Sequence, residues 1–252
     1  MQASKLSNKV AIVTGAGQGV GQGIALALSD AGASVVVTGR TLQKLEVTCH
    51  EIEARGGKAL ALVCDVKDHM SLAALVEQAI SHFGGLHILV NNAQEVPLGS
   101  LLSITDEAFE AGWQSGPLAT LRLMKLCYPH LKGDGCIINL ATSAARRWDM
   151  SNYGAYAAVK EAIRSLSRAA AAEWGPDNIR TNVILPHAMS PGMQGWMKQN
   201  PEEAAAFVAT IPQRRVGDCE QDIGRFVANL CSDDSAYVNG QSIALDGGQA
   251  LI

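Results

Sequence analysis

Short runs of β-branched and apolar residues recur along the chain, separated by longer stretches in which apolar residues return every three or four positions. The runs are VAIVT (10–14), SVVVT (34–38), ALALVC (59–64), HILV (87–90), CIINL (136–140), TNVIL (181–185) and SIAL (242–245). They are apolar nearly throughout, with little of the alternation of a half-exposed strand. That pattern predicts strands covered on both faces, as in a parallel sheet between helical layers. The helical stretches stop at Ala31-Gly32, Gly56-Gly57 and Gly84-Gly85, where glycine makes a left-handed cap cheap. Repeated strand–helix units of this kind make a doubly wound α/β sheet. No Pro/Ser-rich linker or break in composition interrupts the series, so residues 1–252 read as a single domain.

At 252 residues the chain can bury a large core, and its net charge of -4 leaves no basic footprint for nucleic acid. Nowhere do apolar residues run unbroken for the ~18–20 positions a membrane span needs. MQASKLSNK at 1–9 lacks the apolar run of a secretory signal, so a cytoplasmic protein is expected. Cys49, Cys64, Cys127, Cys136, Cys219 and Cys231 form no CxxC pair, which argues for reduced thiols packed as small hydrophobes. The six histidines show no HxxxH or HExxH spacing, so no metal site is expected.

The first strand runs directly into TGAGQGVG at 14–21. Gly15, Gly19 and Gly21 permit a tight turn, close approach of backbone to a pyrophosphate and close packing of the next helix. The amides of that helix, from about Gly19, aim at the anion. The spacing is GxxxGxG rather than GxGxxG, and its place between the first strand and first helix marks it as more than a hinge.

TGAGQGVG, then LVNNA at 89–93, then Tyr156-x-x-x-Lys160, with LDGG at 245–248, resemble the short-chain dehydrogenases/reductases over essentially the whole chain. The resemblance implies a Rossmann-type domain with a seven-stranded parallel sheet, a bound NAD(H) or NADP(H), a small-molecule substrate and a homo-oligomer, dimer or tetramer. It assigns cofactor contacts to Gly15, Gln18, Gly19, Val20 and Gly21, to Asp65 and Val66 after the third strand, to Asn91 and Ala93, and to Pro186. Asp65 is the residue expected at the adenine amino group.

Residues 151–160 read SNYGAYAAVK, and two tyrosines precede the lysine. Tyr156 and Lys160 stand at i and i+4 at the start of a helical segment, 155–174, with Val159, Ile163, Leu166 and Ala170 as its apolar stripe and Gly175-Pro176 as its stop. That spacing stacks phenol and ammonium on one face. A free phenol, with a pKa of about 10, is about 0.1% ionised at neutral pH, and a nearby ammonium favours the phenolate. Such a tyrosine can exchange a proton with an alcohol or carbonyl oxygen while hydride passes to or from nicotinamide. The resemblance adds a second task for Lys160, holding the nicotinamide ribose.

Tyr153 with Lys160 matches instead the Tyr-x6-Lys spacing of enoyl-acyl-carrier reductases, a divergent branch of the same fold. Those proteins usually have a wider, serine-containing glycine motif and no NNA segment, so Tyr153 reads as a wall or packing residue. In ATSAA (141–145), Ser143 lies thirteen residues before Tyr156, the family's usual separation for the hydroxyl that holds the substrate oxygen. Counting from the strand points to Thr142; Ser143 is favoured.

Three positions depart from the family pattern. In FEAGWQSGPLATLRLMKLCYPHL (109–131), Phe109 and Pro129 set the register, and Gly116 stands where the family has a catalytic asparagine that maintains a helix kink and a water path to the lysine. Pro117 offers a substitute, because it cannot donate to the Trp113 carbonyl and tends to kink the axis; the opposing reading is loss of the relay and of activity. Gln94 replaces the glycine of NNAG. Pro186-His187 stands where Pro-Gly is common, with either a donor or a packing role for His187. After the second strand comes Gly39, where NAD-preferring members place an acid, and then Arg40. With no carboxylate to repel a 2'-phosphate and a guanidinium able to bind it, NADP(H) is favoured over NAD(H), unless Arg40 simply stacks on adenine.

Residues 186–212 match the family's variable substrate lid. Its Met189, Met193, Trp196 and Met197, with Trp148 and Met150, suggest a hydrophobic or cyclic secondary alcohol or ketone, although a Met and Trp stripe is more often core or subunit interface. Arg146 and Arg147 read as a solvated loop pair. The leading reading is an NADP(H)- or NAD(H)-dependent alcohol dehydrogenase or carbonyl reductase acting through Ser143, Tyr156 and Lys160. A dinucleotide-binding sensor or scaffold without turnover is the alternative, and enoyl reduction a distant one.

Overall fold

The computed structural model describes residues 4–146 and 152–250; Arg147, Trp148 and Met150 lie outside the described residues. The apolar runs form seven strands: β1 (Val10–Thr14), β2 (Ser34–Gly39), β3 (Lys58–Val63), β4 (Ile88–Asn91), β5 (Gly135–Leu140), β6 (Ile179–Pro186) and β7 (Ser242–Leu245). All pair in parallel in one sheet, ordered β3-β2-β1-β4-β5-β6-β7. The connecting helices are α1 (Gly19–Asp30), α2 (Leu42–Ala54), α3 (His69–Phe83), α4 (Asp106–Trp113), α5 (Ala119–Leu131), α6 (Gly154–Trp174), α7 (Pro191–Gln199), α8 (Pro201–Thr210) and α9 (Arg225–Cys231).

The strands carry continuous apolar runs because helices cover both faces. In β1, Ala11 and Val13 pack with Ile24 and Leu28 of α1 and Val227 of α9, whereas Ile12 between them packs with Leu72 and Leu75 of α3 and Leu123 of α5. Alternate side chains thus enter different cores, one on each face of the sheet. The expected glycine stops fall just after α1, α2 and α3. Gly84, at φ 81°, donates its N–H to Ile80 O at 2.8 Å and closes α3, whose start is capped by Asp68 accepting from the Met70 N–H at 3.0 Å.

β1 lies between β2 and β4, so chain connections diverge there and a crevice opens at the carboxyl ends of these strands. The turns after β1, β2, β3, β4, β5 and β6 all emerge at that edge, which gathers residues distant in sequence.

Helix geometry differs from expectation at one place. Where the sequence suggests a kinked helix at Gly116-Pro117, the chain makes a π turn, Gln114–Leu118, between α4 and α5. Proline withholds a donor from the regular ladder, and one wider turn absorbs the defect without a break. A second π turn, Cys219–Gly224, packs against α1 where Gly23 and Gly224 let the two backbones touch. Residues 186–212, expected to form a substrate lid, carry two helices, α7 and α8, the first started by the Ser190 hydroxyl accepting from the Met193 N–H at 3.3 Å. Among the described residues no helix is long and apolar enough to cross a membrane.

Candidate active site

A cavity of about 440 Å³ lies at the crevice between β1 and β4. Of the residues expected to hold a dinucleotide, Gly15, Gln18, Gly19, Val20, Gly21, Arg40, Asp65, Val66 and Ala93 are on its walls. Asn91, Tyr156, Lys160 and Pro186 are not. Asn91 is buried and donates through Nδ2 to Asn139 Oδ1 at 2.8 Å, tying β4 to β5. Asn92 takes the wall position and braces the glycine turn, its Nδ2 donating to Thr14 O at 2.8 Å and Gly15 O at 3.2 Å.

The turn itself requires glycine. Gly15 and Gly19 have φ of 65° and 61°, and a Cβ on Gly15 would lie 2.8 Å from Asn92 Nδ2. Gln18, at the N-cap of α1, makes no side-chain cap hydrogen bond, so the first amides of the helix meet the cavity without a side-chain acceptor. The start of α7 lies over this turn: Ser190, Pro191 and Gly192 line the cavity, and Pro191 Cδ comes within 3.2 Å of where a Gly19 Cβ would be.

At the far end of the cavity Arg40 is not idle. Its Nη1 pairs with Glu95 Oε1 at 3.0 Å, and Lys67 Nζ meets the same oxygen at 2.9 Å. Lys44, in the first turn of α2, lines the same region and donates to Gln18 Oε1 at 2.6 Å, and Thr41 lies on the same wall.

Tyr156 and Lys160 do share a face of α6. Lys160 Nζ lies 5.6 Å from the centre of the Tyr156 ring and donates to Leu140 O at 2.7 Å, at the end of β5. Thr142 hydrogen-bonds the Tyr156 hydroxyl, and Ser143, also buried, begins the short 3-10 turn 143–146. The geometry is the expected one, but the electrostatics are not those of the simple ammonium argument. Burial raises the Tyr156 phenol well above its ordinary value, the neighbouring Tyr153 adds to this, and the Thr142 hydrogen bond opposes it. Burial also pushes Lys160 down to about 7, because its ammonium has left water for a neutral carbonyl partner. Tyr153 precedes α6, partly exposed, its ring 6.0 Å from that of Tyr156.

The remaining departures resolve separately. His187 packs edge-on against Phe207 at 5.2 Å, and Trp196 packs against the same ring at 5.7 Å, so the end of β6, α7 and α8 meet at one aromatic contact. Gln94 turns toward the π turn, its Nε2 donating to Gly112 O and Glu95 O, both at 2.8 Å.

The profile of a family described as enoyl-(acyl carrier protein) reductase matches residues 15–250. A 12alpha-hydroxysteroid dehydrogenase of Clostridium sp. is 41% identical over 251 residues, covering 95% of this chain and 96% of the relative. The chain belongs to the short-chain dehydrogenases/reductases. Among solved structures, a 7 alpha-hydroxysteroid dehydrogenase complexed with NADH and 7-oxo glycochenodeoxycholic acid superposes with a TM-score of 0.92 at 33% identity, over 98% of this chain and 96% of that one. A short chain dehydrogenase of Burkholderia cenocepacia in complex with NADP gives 0.91 at 28% identity, over 98% and 100% of the two chains.

As a short-chain oxidoreductase the protein binds a nicotinamide dinucleotide, and the bare amides of α1 over a glycine turn fit its pyrophosphate. Sequence reading missed Lys44, Glu95, Lys67, Asn92 and Ser115. Asn92 had a signal in the LVNNA motif, and Lys44 had one as a second cation just after Arg40. Glu95 and Lys67 had none, since Glu95 meets Arg40 and Lys67 only where three different strand ends come together.

Proposed function

We propose that this short-chain reductase uses NADP(H) to reduce a ketone, or to oxidise the corresponding secondary alcohol, on an apolar fused-ring molecule of steroid type. The observation that carries the reading is the buried stack of Lys160, Tyr156 and Thr142 at the carboxyl edge of the sheet, beside a cavity suited to a dinucleotide. A dinucleotide held on the glycine turn by the α1 amides would supply or accept the hydride. Tyr156, kept protonated by burial, gives its proton to the carbonyl oxygen as negative charge develops there, and the hydroxyls of Ser143 and Thr142 hold that oxygen in place. Lys160, anchored on Leu140 O, stabilises the phenolate left behind while its own proton is retained.

Tyr156, rather than Tyr153, lies under the lysine, which supports carbonyl over enoyl chemistry. The apolar substrate is supported by exposed Val96, Leu98, Leu101 and Leu102, of which Leu101 sits against the start of α6 at Gly154. It is supported also by the two hydroxysteroid dehydrogenases among the relatives. Arg40 and Lys44, with no acid at Gly39, support a 2'-phosphate.

The test is loss of reduced-nicotinamide absorbance with a panel of oxo-steroids and single-ring ketones, comparing NADPH with NADH. Turnover is expected on the steroids with NADPH, and Tyr156→Phe lowers kcat by about 10²–10⁴ while leaving NADPH affinity nearly unchanged. Undiminished turnover in that variant would remove Tyr156 from the mechanism.

A further inference from the structure

Gln94 and Gly116 are both unusual for the family, and in the fold they meet. Gly116 lies in the π turn with no room for a side chain: a Cβ there would stand 2.8 Å from Gln94 Nε2, 2.9 Å from Gln94 Cδ and closer still to Gln94 Oε1. All three atoms belong to a carboxamide already tied down. Its Nε2 donates to Gly112 O at 2.8 Å and Glu95 O at 2.8 Å. The neighbouring groups hold the same loop. The Ser115 hydroxyl accepts from the Glu95 N–H at 3.0 Å and donates to Ala111 O at 2.7 Å, while Gly112 leaves space for Pro97, whose Cγ is 2.7 Å from where a Cβ would be.

Gly112 O, in the last turn of α4, collects two side-chain donors, Gln94 Nε2 at 2.8 Å and the Ser115 hydroxyl at 3.4 Å. The π turn that follows is closed by the Ala119 N–H donating to Gln114 O, five residues back. Gln94, on the next loop, thus ties that loop to the end of α4. The loop begins immediately after β4 and also forms the cavity wall, and the π turn packs against α6, which carries Tyr156 and Lys160.

We infer that Gln94 and Gly116 form one interlocked unit. The Gln94 carboxamide fills the space of the side chain absent at 116 and ties the loop after β4 to the last turn of α4, next to the π turn. It thereby acts as a positioning residue for Tyr156 and Lys160. The inference rests on the proposed reductase reading only for its activity readout.

The test is a cycle of Gln94→Gly, Gly116→Asn and the double variant, read by melting temperature, NADPH titration and steady-state reduction of the best ketone of the panel. Gly116→Asn alone drives a side chain into the fixed amide and is expected to lower kcat about 100-fold and the melting temperature with it; Gln94→Gly alone lowers kcat about 10-fold with little change in KM for NADPH. The double variant, which restores the family's usual pairing, recovers most of both losses. Losses that multiply in kcat and add in melting temperature would overturn the interlock. Gln94→Met, which keeps volume but cannot donate to Gly112 O, separates the two tasks: a kcat equal to wild type would eliminate the hydrogen-bonding one. If no ketone is turned over by the wild type, the reductase reading fails while melting and NADPH titration still decide the interlock.

Discussion

The two ends of the site treat a cation in opposite ways. Arg40, at the end of β2, is 64% exposed and shares Glu95 with Lys67. Lys160, on α6, is 2% exposed and gives its protein hydrogen bond to a neutral oxygen, Leu140 O. The exposed guanidinium is screened by salt, so its contribution to binding depends on ionic strength. The buried ammonium is driven down to about 7 by loss of water, so it responds to pH and hardly to salt. On the proposed reading, recognition is thus built from solvated charges that can exchange partners, and proton transfer from groups that burial has already brought toward neutrality.

The largest expected way to break this contrast is Lys160→Met. Activity falls by about 10²–10⁴, while stability moves the other way. Because Lys160 holds its proton less tightly in the fold (about 7) than its ordinary 10.5, the unfolded chain binds more protons between those values. The destabilising burial of charge is therefore fully present below pH 7 and is relieved as pH rises toward 10.5. Differential scanning calorimetry should show the variant melting above wild type near pH 6, by about 2–4 °C for each kcal/mol relieved, with the margin closing at higher pH. A variant less stable than wild type at both ends of that range would refute the buried-cation account.

The same group sets the pH profile of the wild type. With NADPH limiting, kcat/KM reports the free protein and is expected to fall as pH rises through about 7, where Lys160 loses its charge. A flat profile between pH 6 and 9 would show that the lysine charge does not assist Tyr156.

Smaller effects are expected at the other end. Arg40→Ala weakens NADPH binding by about 10–100-fold and NADH binding much less, the difference shrinking in high salt. Equal losses for both dinucleotides, by fluorescence titration, would leave Arg40 only a stacking role. Glu95→Gln sharpens the comparison: it frees Arg40 and Lys67 from their carboxylate and is expected to tighten NADPH about 2–5-fold, within the range of exposed pairs.

Much of this architecture was readable before any coordinates. Every apolar run is a strand of the sheet, α6 spans Gly154–Trp174 against an expected 155–174, and the glycine turn sits where a strand meets a helix. These features depend on residues within a few positions of one another. The contact of Thr142 with the Tyr156 hydroxyl turned on how the chain leaves β5. The Glu95 partnership of Arg40 turned on three loops arriving at one edge.

Periodicity and spacing carry local geometry, because a helix or strand is laid out by its own chain neighbours. The strand set and the shared face of Tyr156 and Lys160 follow from that alone. Burial and contact between segments belong to the assembled fold. Whether Lys160 keeps its proton depends on how much water the packed helices exclude, and Gly116 makes sense only with the Gln94 carboxamide lodged against it. Both are decided by groups brought together across the sheet, and no run of adjacent residues encodes the distance between them.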